Sequence, residues 1–413
     1  PTGTLRGVNP EVLRVRTERL DYDGPLLDWA EPEHPLAFLR GGEGIVGFGE
    51  RASFRHEGEN RIAELARWWR DLCARAEVHD EVKLPGTGLT AFGSFAFSDT
   101  SASASVLTVP SVIVGRRGDV TWITRFEGGF PVEPSTPWPT RPASLVPGAM
   151  TPGRYEAAVL AARQHIRAGE LGKVVLARDL VADIGWVADK RGWLARLAAA
   201  YPDTFTFAHS GLMGSSPETL VRVSGGDVSA RVLAGTARRW PDDATDVHAA
   251  STLANSAKDR GEHDHAVRSV LDSLAPHATD VTTSDPYPLR LPNLWHLASD
   301  VRGTLVPGRT ALELVGALHP TAAVAGTPTD VALELITELE PFDRGRYAGP
   351  VGWVDAAGDG EWAIALRCAL IDDDGHITAW AGAGIVADSE PAKELAETEL
   401  KFRPVVEAFG QAG

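Results

Sequence analysis

Short apolar runs separated by glycine-rich breaks fill the first 125 residues of the chain, a pattern that favours strands and turns over helices. Runs of strand length recur at 173–182, 204–209 and 228–236, whereas helical periodicity is grouped between them, for example over 245–274. Strands that adjoin other strands in this way predict an α+β fold with antiparallel sheets rather than repeated βαβ units.

A proline-rich stretch interrupts this pattern. Seven prolines lie between Pro131 and Pro152, and so many fixed backbone angles predict a connection without regular structure. It divides the 413 residues into 1–130, the connection 131–152, and 153–413. Thr151 then has the character of a helix N-cap, so a helix is expected to start directly after it.

The charge balance limits the partners of the chain. Forty basic and 56 acidic residues give a net charge of −16, which repels nucleic acids and anionic membrane surfaces. No uncharged apolar run is long enough to span a bilayer, and the charged N-terminal twenty residues do not have the pattern of a secretory signal. Two cysteines outside any metal or redox spacing fit a reducing compartment. A cytoplasmic protein is expected.

The helix predicted at the C-terminus carries a charged face. Glu394, Glu397 and Lys401 are spaced by three and four residues, so they share one side of the helix. Gly382 and Gly384 precede this helix and could expose backbone N–H groups to an anion. The alternative is an ordinary solvated helix face, and the spacing by itself leaves both interpretations open.

A second acidic pair stands at Asp259 and Glu262, again three residues apart. Carboxylates without cysteine suit Mg²⁺, which also keeps water and substrate oxygens as ligands. The four acids could instead be unrelated surface charges. His263 and His265 are interpreted as residues of the helix surface rather than ligands.

Other polar groups stand in apolar or glycine-rich strand contexts. Lys173 opens an apolar strand, where it could act as a base or extend from a sheet edge. Glu218 lies in a turn between strands and could donate a proton if it is partly desolvated. Arg367 is predicted inside an apolar strand, where it needs a carboxylate from the protein or a ligand. His296 and the segment 234–236 complete this set.

Together these segments resemble the chorismate-utilising enzymes, a family that includes isochorismate, salicylate, anthranilate and aminodeoxychorismate synthases. The matching pieces follow the order of the family from residue 172 to 401: "KVVLAR", "SSPETL", "LAGT", "AKDRGEH", "HLASDVRG", "LHPTAAVAGTP", "YAGPVGW", "AIALRCA" and "GAGIVADSEPAKELAETELK". The resemblance implies one large α+β unit of the anthranilate synthase component I type, with two antiparallel sheets flanked by helices. Residues 1–130 would form its more variable half, and 153–413 its chorismate-binding catalytic portion.

Within that family the nucleophile distinguishes the branches. Lys173 occupies the position of the lysine base in the water-using enzymes. Aminodeoxychorismate synthases have a nucleophilic lysine at the position where this chain has Ala234. The stretch around His319 and Pro320 looks like the isochorismate synthase version of its loop. The resemblance therefore implies an isochorismate synthase, an isomerase that serves menaquinone or siderophore biosynthesis. A salicylate synthase, which also eliminates pyruvate, and a non-catalytic chorismate-binding protein are the alternatives.

The resemblance also implies roles for individual residues. Lys173 would be the base that activates water, and Glu218 the acid that helps the C4 hydroxyl leave. Mg²⁺ would be the cofactor, held by Glu262, Glu394 and Glu397, with Asp259 acting through water. Chorismate would bind as the only partner of a monomer that needs no glutaminase subunit, in contact with Gly235, Thr236, His296, Ala325, Gly326, Tyr347, Arg367, Gly384, Ile385 and Lys401.

Overall fold

A computed structural model of the protein describes residues 4–6, 13–129, 131–290 and 294–410, and within these ranges it leaves the side chains of residues 4–6, 236, 238, 258, 262, 265 and 294 undescribed. The α-helices are α1 (Arg61–Cys73), α2 (Pro152–Arg167), α3 (Arg191–Ala200), α4 (Asp243–Asn255), α5 (Ala257–Leu274), α6 (Ala311–Leu318), α7 (Thr329–Leu339) and α8 (Pro391–Phe409), and Leu26–Trp29 forms a short 3₁₀ helix.

The strands are numerous and range from two to 12 residues. In chain order they are β1 (Thr4–Arg6), β2 (Leu13–Arg19), β3 (Leu36–Arg40), β4 (Glu43–Phe48), β5 (Ala52–His56), β6 (Ala76–Asp80), β7 (Thr90–Ser94), β8 (Ser105–Val109), β9 (Val112–Arg117), β10 (Val120–Phe126), β11 (Val146–Pro147), β12 (Lys173–Asp183), β13 (Phe205–His209), β14 (Leu212–Ser216), β15 (Thr219–Ser224), β16 (Asp227–Arg238), β17 (Ala278–Thr283), β18 (Tyr287–Arg290), β19 (Leu294–Leu305), β20 (Gly326–Thr327), β21 (Pro350–Asp355), β22 (Gly360–Ile364), β23 (Cys368–Ile371) and β24 (His376–Ile385).

These strands form two sheets. Within the described ranges, sheet A has 11 strands in the order β1-β5-β8-β7-β21-β22-β15-β16-β19-β17, with β18 also paired to β19. Sheet B has 13 strands in the order β11-β12-β24-β23-β14-β13-β3-β4-β9-β10-β2-β6, with β20 also paired to β12. The pairing is antiparallel apart from β2 with β6. Residues on both sides of the proline-rich connection contribute strands to both sheets, and the α+β prediction with two antiparallel-rich sheets is confirmed.

Alternation along the strands of sheet B directs side chains into two cores. In β3, Phe38 belongs to a core that also contains Phe92 and Trp362 of sheet A, whereas its neighbour Ala37 belongs to a second core. The first core therefore lies between the sheets. The second covers the far face of sheet B and includes Phe409 of α8, whose ring stacks on Trp193 of α3 with centroids 4.8 Å apart. Sheet B is thus covered on both faces.

Several predicted elements agree closely with the structure. Thr151 caps α2 by accepting the Arg154 N–H, as its sequence context predicts. The predicted single helix over 245–274 is wrong in one respect, because Ser256 separates α4 from α5 and its hydroxyl caps α5. Helix α3 was not predicted. Among the described residues, no helix is both long enough and apolar enough to cross a bilayer.

The prediction that Arg367 lies inside an apolar strand is wrong. Arg367 lies between β22 of sheet A and β23 of sheet B, and its φ of 49° is a left-handed value incompatible with a continuous strand. The apolar run "EWAIALRCALI" is therefore two strands, because the chain changes sheets in its middle. A continuous apolar pattern does not distinguish one long buried strand from two short strands in different sheets.

A buried ion pair ties β12 to the segment that follows α7. Glu340 and Arg344 are 7% and 3% exposed, and the Arg344 Nε donates to the Glu340 carboxylate at 2.8 Å. Arg344 also donates to the Val175 carbonyl at 2.7 Å, and Glu340 accepts the Ala177 N–H at 2.7 Å. Because the two side chains are each other's charged partner in this buried pair, removing one leaves a buried charge without its counterion.

We therefore expect Glu340→Gln to lower the free energy of unfolding by about 3–5 kcal/mol, measured by urea denaturation. The matched control is Glu390→Gln, which breaks an exposed pair with Lys393 and should cost less than about 1 kcal/mol. Equal losses in the two variants would contradict this interpretation of the buried pair.

Candidate active site

Two crossings of the chain between the sheets lie side by side. Glu218 belongs to the link from β14 of sheet B to β15 of sheet A, and its carbonyl accepts the Ile364 N–H at 3.1 Å. Ile364 ends β22, immediately before the crossing that contains Arg367. The Arg367 carbonyl in turn accepts the Ser215 N–H of β14 at 3.2 Å. The topology thus places Glu218 and Arg367 together where the chain passes from one sheet to the other. We call this place the seam between the sheets.

The Glu218 carboxyl lies in an environment that favours its protonated form. Burial is the largest influence, and it raises the pKa of Glu218 above the ordinary glutamate value. The positive charges of Lys173, Lys401 and Arg367 act in the opposite direction. These cations come from β12, α8 and the neighbouring crossing, so residues far apart in sequence share one electrostatic environment.

Lys173 lies at the start of β12, between two glycine-containing segments. Its neighbour Val174 pairs with Gly326 on one side and with Ile385 on the other. The Lys173 side chain passes over Gly384, because a Cβ built on that glycine would lie 2.8 Å from the lysine Cε. Ala325, which is fully buried, accepts the Val175 N–H at 2.8 Å and anchors the segment before Gly326.

Helix α8 presents its charged face to the same region. Lys401 donates to Glu397 at 2.7 Å and to the Gly382 carbonyl of β24 at 2.9 Å. Burial, followed by the negative charge of Glu397, raises the pKa of Glu394, and the Ser389 hydroxyl and Lys401 partly offset this effect. The two glutamates are half-buried and close enough to repel each other. The solvated-face alternative is therefore incomplete, because this face also contacts sheet B.

A β-bulge brings a histidine toward these charges. The register of β16 against β19 shifts between Leu233 and Thr236, and Gly235 in the bulge has a φ of 83°. The His296 Nδ1 lies 3.3 Å from the Gly235 carbonyl and donates to it. Burial lowers the pKa of His296 to about 4, with smaller contributions from the charges of Lys173 and Lys401. The imidazole is therefore neutral near pH 7.

Helix α5 lies next to the bulge. A Cβ built on Gly235 would lie 3.2 Å from the Cβ of Asp259, so that acid is adjacent to the bulge. The backbone of Glu262 lies one helical turn further along α5, but its side chain is outside the described set, as is that of Thr236. Their predicted contacts with metal and substrate stay predictions.

Tyr347 lies next to β24, near the residues described above. It is buried, its ring stacks on Trp380 with centroids 5.8 Å apart, and burial raises its pKa above the ordinary tyrosine range. Its hydroxyl lies 3.2 Å from the position a Cβ would occupy on Gly382, the residue whose carbonyl Lys401 binds. The phenol is therefore a neutral hydroxyl beside the lysine.

Arg367 supplies a further cation to this region. Burial lowers its pKa, and the charges of Tyr201 and Glu218 act against this shift. Within the part of the chain that the structure describes, no carboxylate lies within ion-pair distance of its guanidinium.

The donors for a divalent ion are partly in place. The described side chains contain no group of three His, Cys, Asp or Glu residues arranged to hold a metal, a set that excludes Glu262. Glu394 and Glu397 nevertheless provide paired oxygen ligands whose mutual repulsion a cation would relieve. These two carboxylates fit Mg²⁺, and completion of the set depends on Glu262.

His263 has a structural role that its sequence context does not indicate. Its interpretation as a helix-surface residue is wrong, because His263 is 0% exposed. Its Nδ1 lies 3.2 Å from the Ala234 carbonyl in the bulge, and its Nε2 lies 2.9 Å from the Ser299 hydroxyl on β19. The amphipathic pattern of α5 gives no clear signal for this burial, since the histidine lies next to charged neighbours on both sides.

A protonatable carboxyl, an amine and further cations at the seam of two sheets define an enzyme that performs acid–base chemistry on an anion. The chain belongs to the family described as chorismate binding enzyme, which it matches over residues 29–125 and 134–410. The family prediction is confirmed.

Two curated relatives and one solved structure specify the resemblance. The isochorismate synthase DhbC of Bacillus subtilis is 40% identical over 272 residues, which cover 63% of this chain and 68% of that protein. The salicylate biosynthesis isochorismate synthase of Pseudomonas aeruginosa is 33% identical over 95% of this chain and 86% of its own length. The structure of MenF, the menaquinone-specific isochorismate synthase of Escherichia coli, covers 95% of this chain and 94% of its own at a TM-score of 0.72. At 22% identity, it shows the fold alone.

The charge cluster at the seam can be tested directly. Because the Lys173 ammonium stabilises the Glu218 carboxylate, Lys173→Met should raise the pKa of Glu218 further. A carbon-13 NMR titration of the glutamate carboxyls would follow this change. Lys393→Met removes an exposed lysine of α8 and should leave the Glu218 titration unchanged. An unaltered titration in Lys173→Met would show that the amine and the acid do not share one environment.

Proposed function

We propose that this protein is an isochorismate synthase, which converts chorismate reversibly into isochorismate. The observation that carries the proposal is the shared environment of Lys173 and Glu218, a candidate base and a carboxyl whose pKa is raised by burial, at one seam of the fold. Relatives named isochorismate synthase support the same activity.

Local cations explain how an acidic protein would bind this substrate. Chorismate carries two carboxylates, and the net charge of −16 opposes its approach. Arg367 and Lys401 would bind the enolpyruvyl side together with the backbone at Gly384 and Ile385. The ring carboxylate would meet the bulge at Gly235 and Thr236, where the His296 imidazole donates to the Gly235 carbonyl. Ala325, Gly326 and Tyr347 would shape the remaining walls.

The proposed reaction exchanges one hydroxyl for another. Once its ammonium has released a proton to solvent, the Lys173 amine accepts a proton from water, and the resulting hydroxide oxygen forms a bond to ring C2. The ring double bonds shift as the C4–O bond breaks, and Glu218 gives its proton to the departing hydroxyl, which leaves as water. The same two residues in exchanged protonation states serve the reverse reaction, so no redox cofactor is needed.

We propose Mg²⁺ as the cofactor. Glu394, Glu397 and Glu262 would hold it, and Asp259 would act through water, as the family resemblance implies. When bound, the ion would supply positive charge for the ring carboxylate. The half-buried glutamate pair on α8 supports this assignment.

Product analysis tests the function. The purified protein with chorismate and Mg²⁺ should form isochorismate until the two acids reach equilibrium, and excess EDTA should stop turnover; liquid chromatography with a pyruvate assay follows both. Salicylate with an equimolar amount of pyruvate would identify a salicylate synthase instead. Chorismate binding without any product would identify a non-catalytic binding protein.

The position of the base can be tested without changing it. A Cβ at Gly384 would lie 2.8 Å from the Lys173 Cε, so Gly384→Ala should displace the amine and lower kcat by about tenfold to a hundredfold. Gly153→Ala in α2 is the control, because a Cβ there meets nothing within 4 Å. Steady-state kinetics measure both variants, and full activity of Gly384→Ala would contradict the proposed place of Lys173.

A further inference from the structure

The bulge in β16 places two backbone carbonyls outside the regular hydrogen-bond ladder between β16 and β19. The strand pairs with β19 up to Leu233 opposite Ala298, and pairing resumes at Thr236 opposite His296. Ala234 and Gly235 lie between these points. A partly buried carbonyl outside the ladder needs another donor, because an unpaired one would destabilise the fold.

Two imidazoles provide those donors. The Nδ1 of His263, on α5, lies 3.2 Å from the Ala234 carbonyl, and the Nδ1 of His296, on β19, lies 3.3 Å from the Gly235 carbonyl. A carbonyl can only accept, so both rings carry their proton on Nδ1. We call this arrangement the bulge clamp.

The second nitrogen of His263 also has a hydrogen-bond partner. Its Nε2 lies 2.9 Å from the Ser299 hydroxyl and, lacking a hydrogen in this tautomer, accepts from it. The ring is 0% exposed and both of its nitrogens are satisfied. The Ser299 hydroxyl, the imidazole and the Ala234 carbonyl therefore form one directed chain of hydrogen bonds.

The clamp determines where backbone N–H groups point. In a trans peptide the N–H of one residue is antiparallel to the carbonyl of the residue before it. Holding the Ala234 carbonyl therefore sets the direction of the Gly235 N–H. The φ of 83° at Gly235 is a conformation that other residues rarely adopt, so the sequence and the clamp specify the same local geometry.

We propose that His263 is a positioning residue for the substrate: it holds the Ala234–Gly235 peptide so that the Gly235 N–H is oriented to bind the ring carboxylate. This inference rests on the proposed function, in which chorismate meets the backbone at Gly235. His263 itself touches neither the substrate nor the reacting atoms, and it acts through the peptide plane.

Two amide side chains separate this role from simple packing. The asparagine amide reaches about the position of Nδ1, so His263→Asn can keep the bond to Ala234. The glutamine amide reaches about the position of Nε2, so His263→Gln can keep the contact with Ser299 and lose the bond to Ala234. Ser299→Ala removes the other end of the chain and is the matched control. Packing alone would make the Asn and Gln variants similar.

Hydrogen exchange measured by mass spectrometry on the substrate-free protein tests the clamp. We expect faster exchange in the peptide spanning 233–237 for His263→Gln, and little change for His263→Asn or Ser299→Ala. The consequence for binding is measured by calorimetry with chorismate in a Lys173→Ala background, which is expected to bind without turnover. There His263→Gln should raise the Kd for chorismate about five- to tenfold, and His263→Asn less than about twofold.

Equal effects of the Asn and Gln variants on exchange and affinity, or no effect of either, would overturn the proposal. If His263→Gln does not fold, the comparison of His263→Ala with His263→Asn replaces it, and only Asn should restore slow exchange and affinity. Absence of chorismate binding in Lys173→Ala with His263 intact would count against the proposed function, whereas the exchange result would still decide whether the clamp exists.

Discussion

Burial of the Glu218 carboxyl at the seam between the sheets is the constraint on which the rest of the site depends. The chain changes sheets at Glu218 and again at Arg367, and backbone hydrogen bonds join the two crossings. Desolvation raises the pKa of the carboxyl, and the surrounding cations partly offset that effect. The fold thus influences the pKa of Glu218, because the two adjacent crossings place its carboxyl in a buried environment next to Arg367.

The elements that supply those cations are held by buried polar contacts of their own. Arg178 of β12 donates to the Thr398 hydroxyl of α8 at 2.7 Å, and its guanidinium lies 5.1 Å from the Phe402 ring centroid. Thr398 lies between the glutamates and Lys401 in sequence, so this contact fixes the rotation of the charged helix face against the strand that begins at Lys173. The Glu340–Arg344 pair holds the same strand at Val175 and Ala177.

The sequence predicted the fold class and the helices α2 and α8 well, because caps, prolines and periodicity act locally. It also named Lys173, Glu218 and Lys401, which the structure brings into one electrostatic environment. The sheet change at Arg367 was not predictable from an apolar run, since burial in either sheet produces the same pattern. Nor was the burial of His263, whose partner is a carbonyl exposed by a bulge in a distant strand. Both features depend on tertiary contacts, which a local sequence pattern does not specify.

The same electrostatics decide which group can serve as the acid. The charges of Lys173 and Lys401 favour loss of a proton from both Glu218 and His296. For His296, burial acts in the same direction, so its pKa falls to about 4 and the ring has no acidic proton to give near pH 7. For the carboxyl, burial opposes the cations and prevails. The remaining imidazole N–H is already committed to the Gly235 carbonyl. Desolvation thus has opposite consequences for a neutral and a charged conjugate base: it lowers the pKa of the His296 imidazolium and raises that of the Glu218 carboxyl, which suits Glu218 to the proposed role of proton donor.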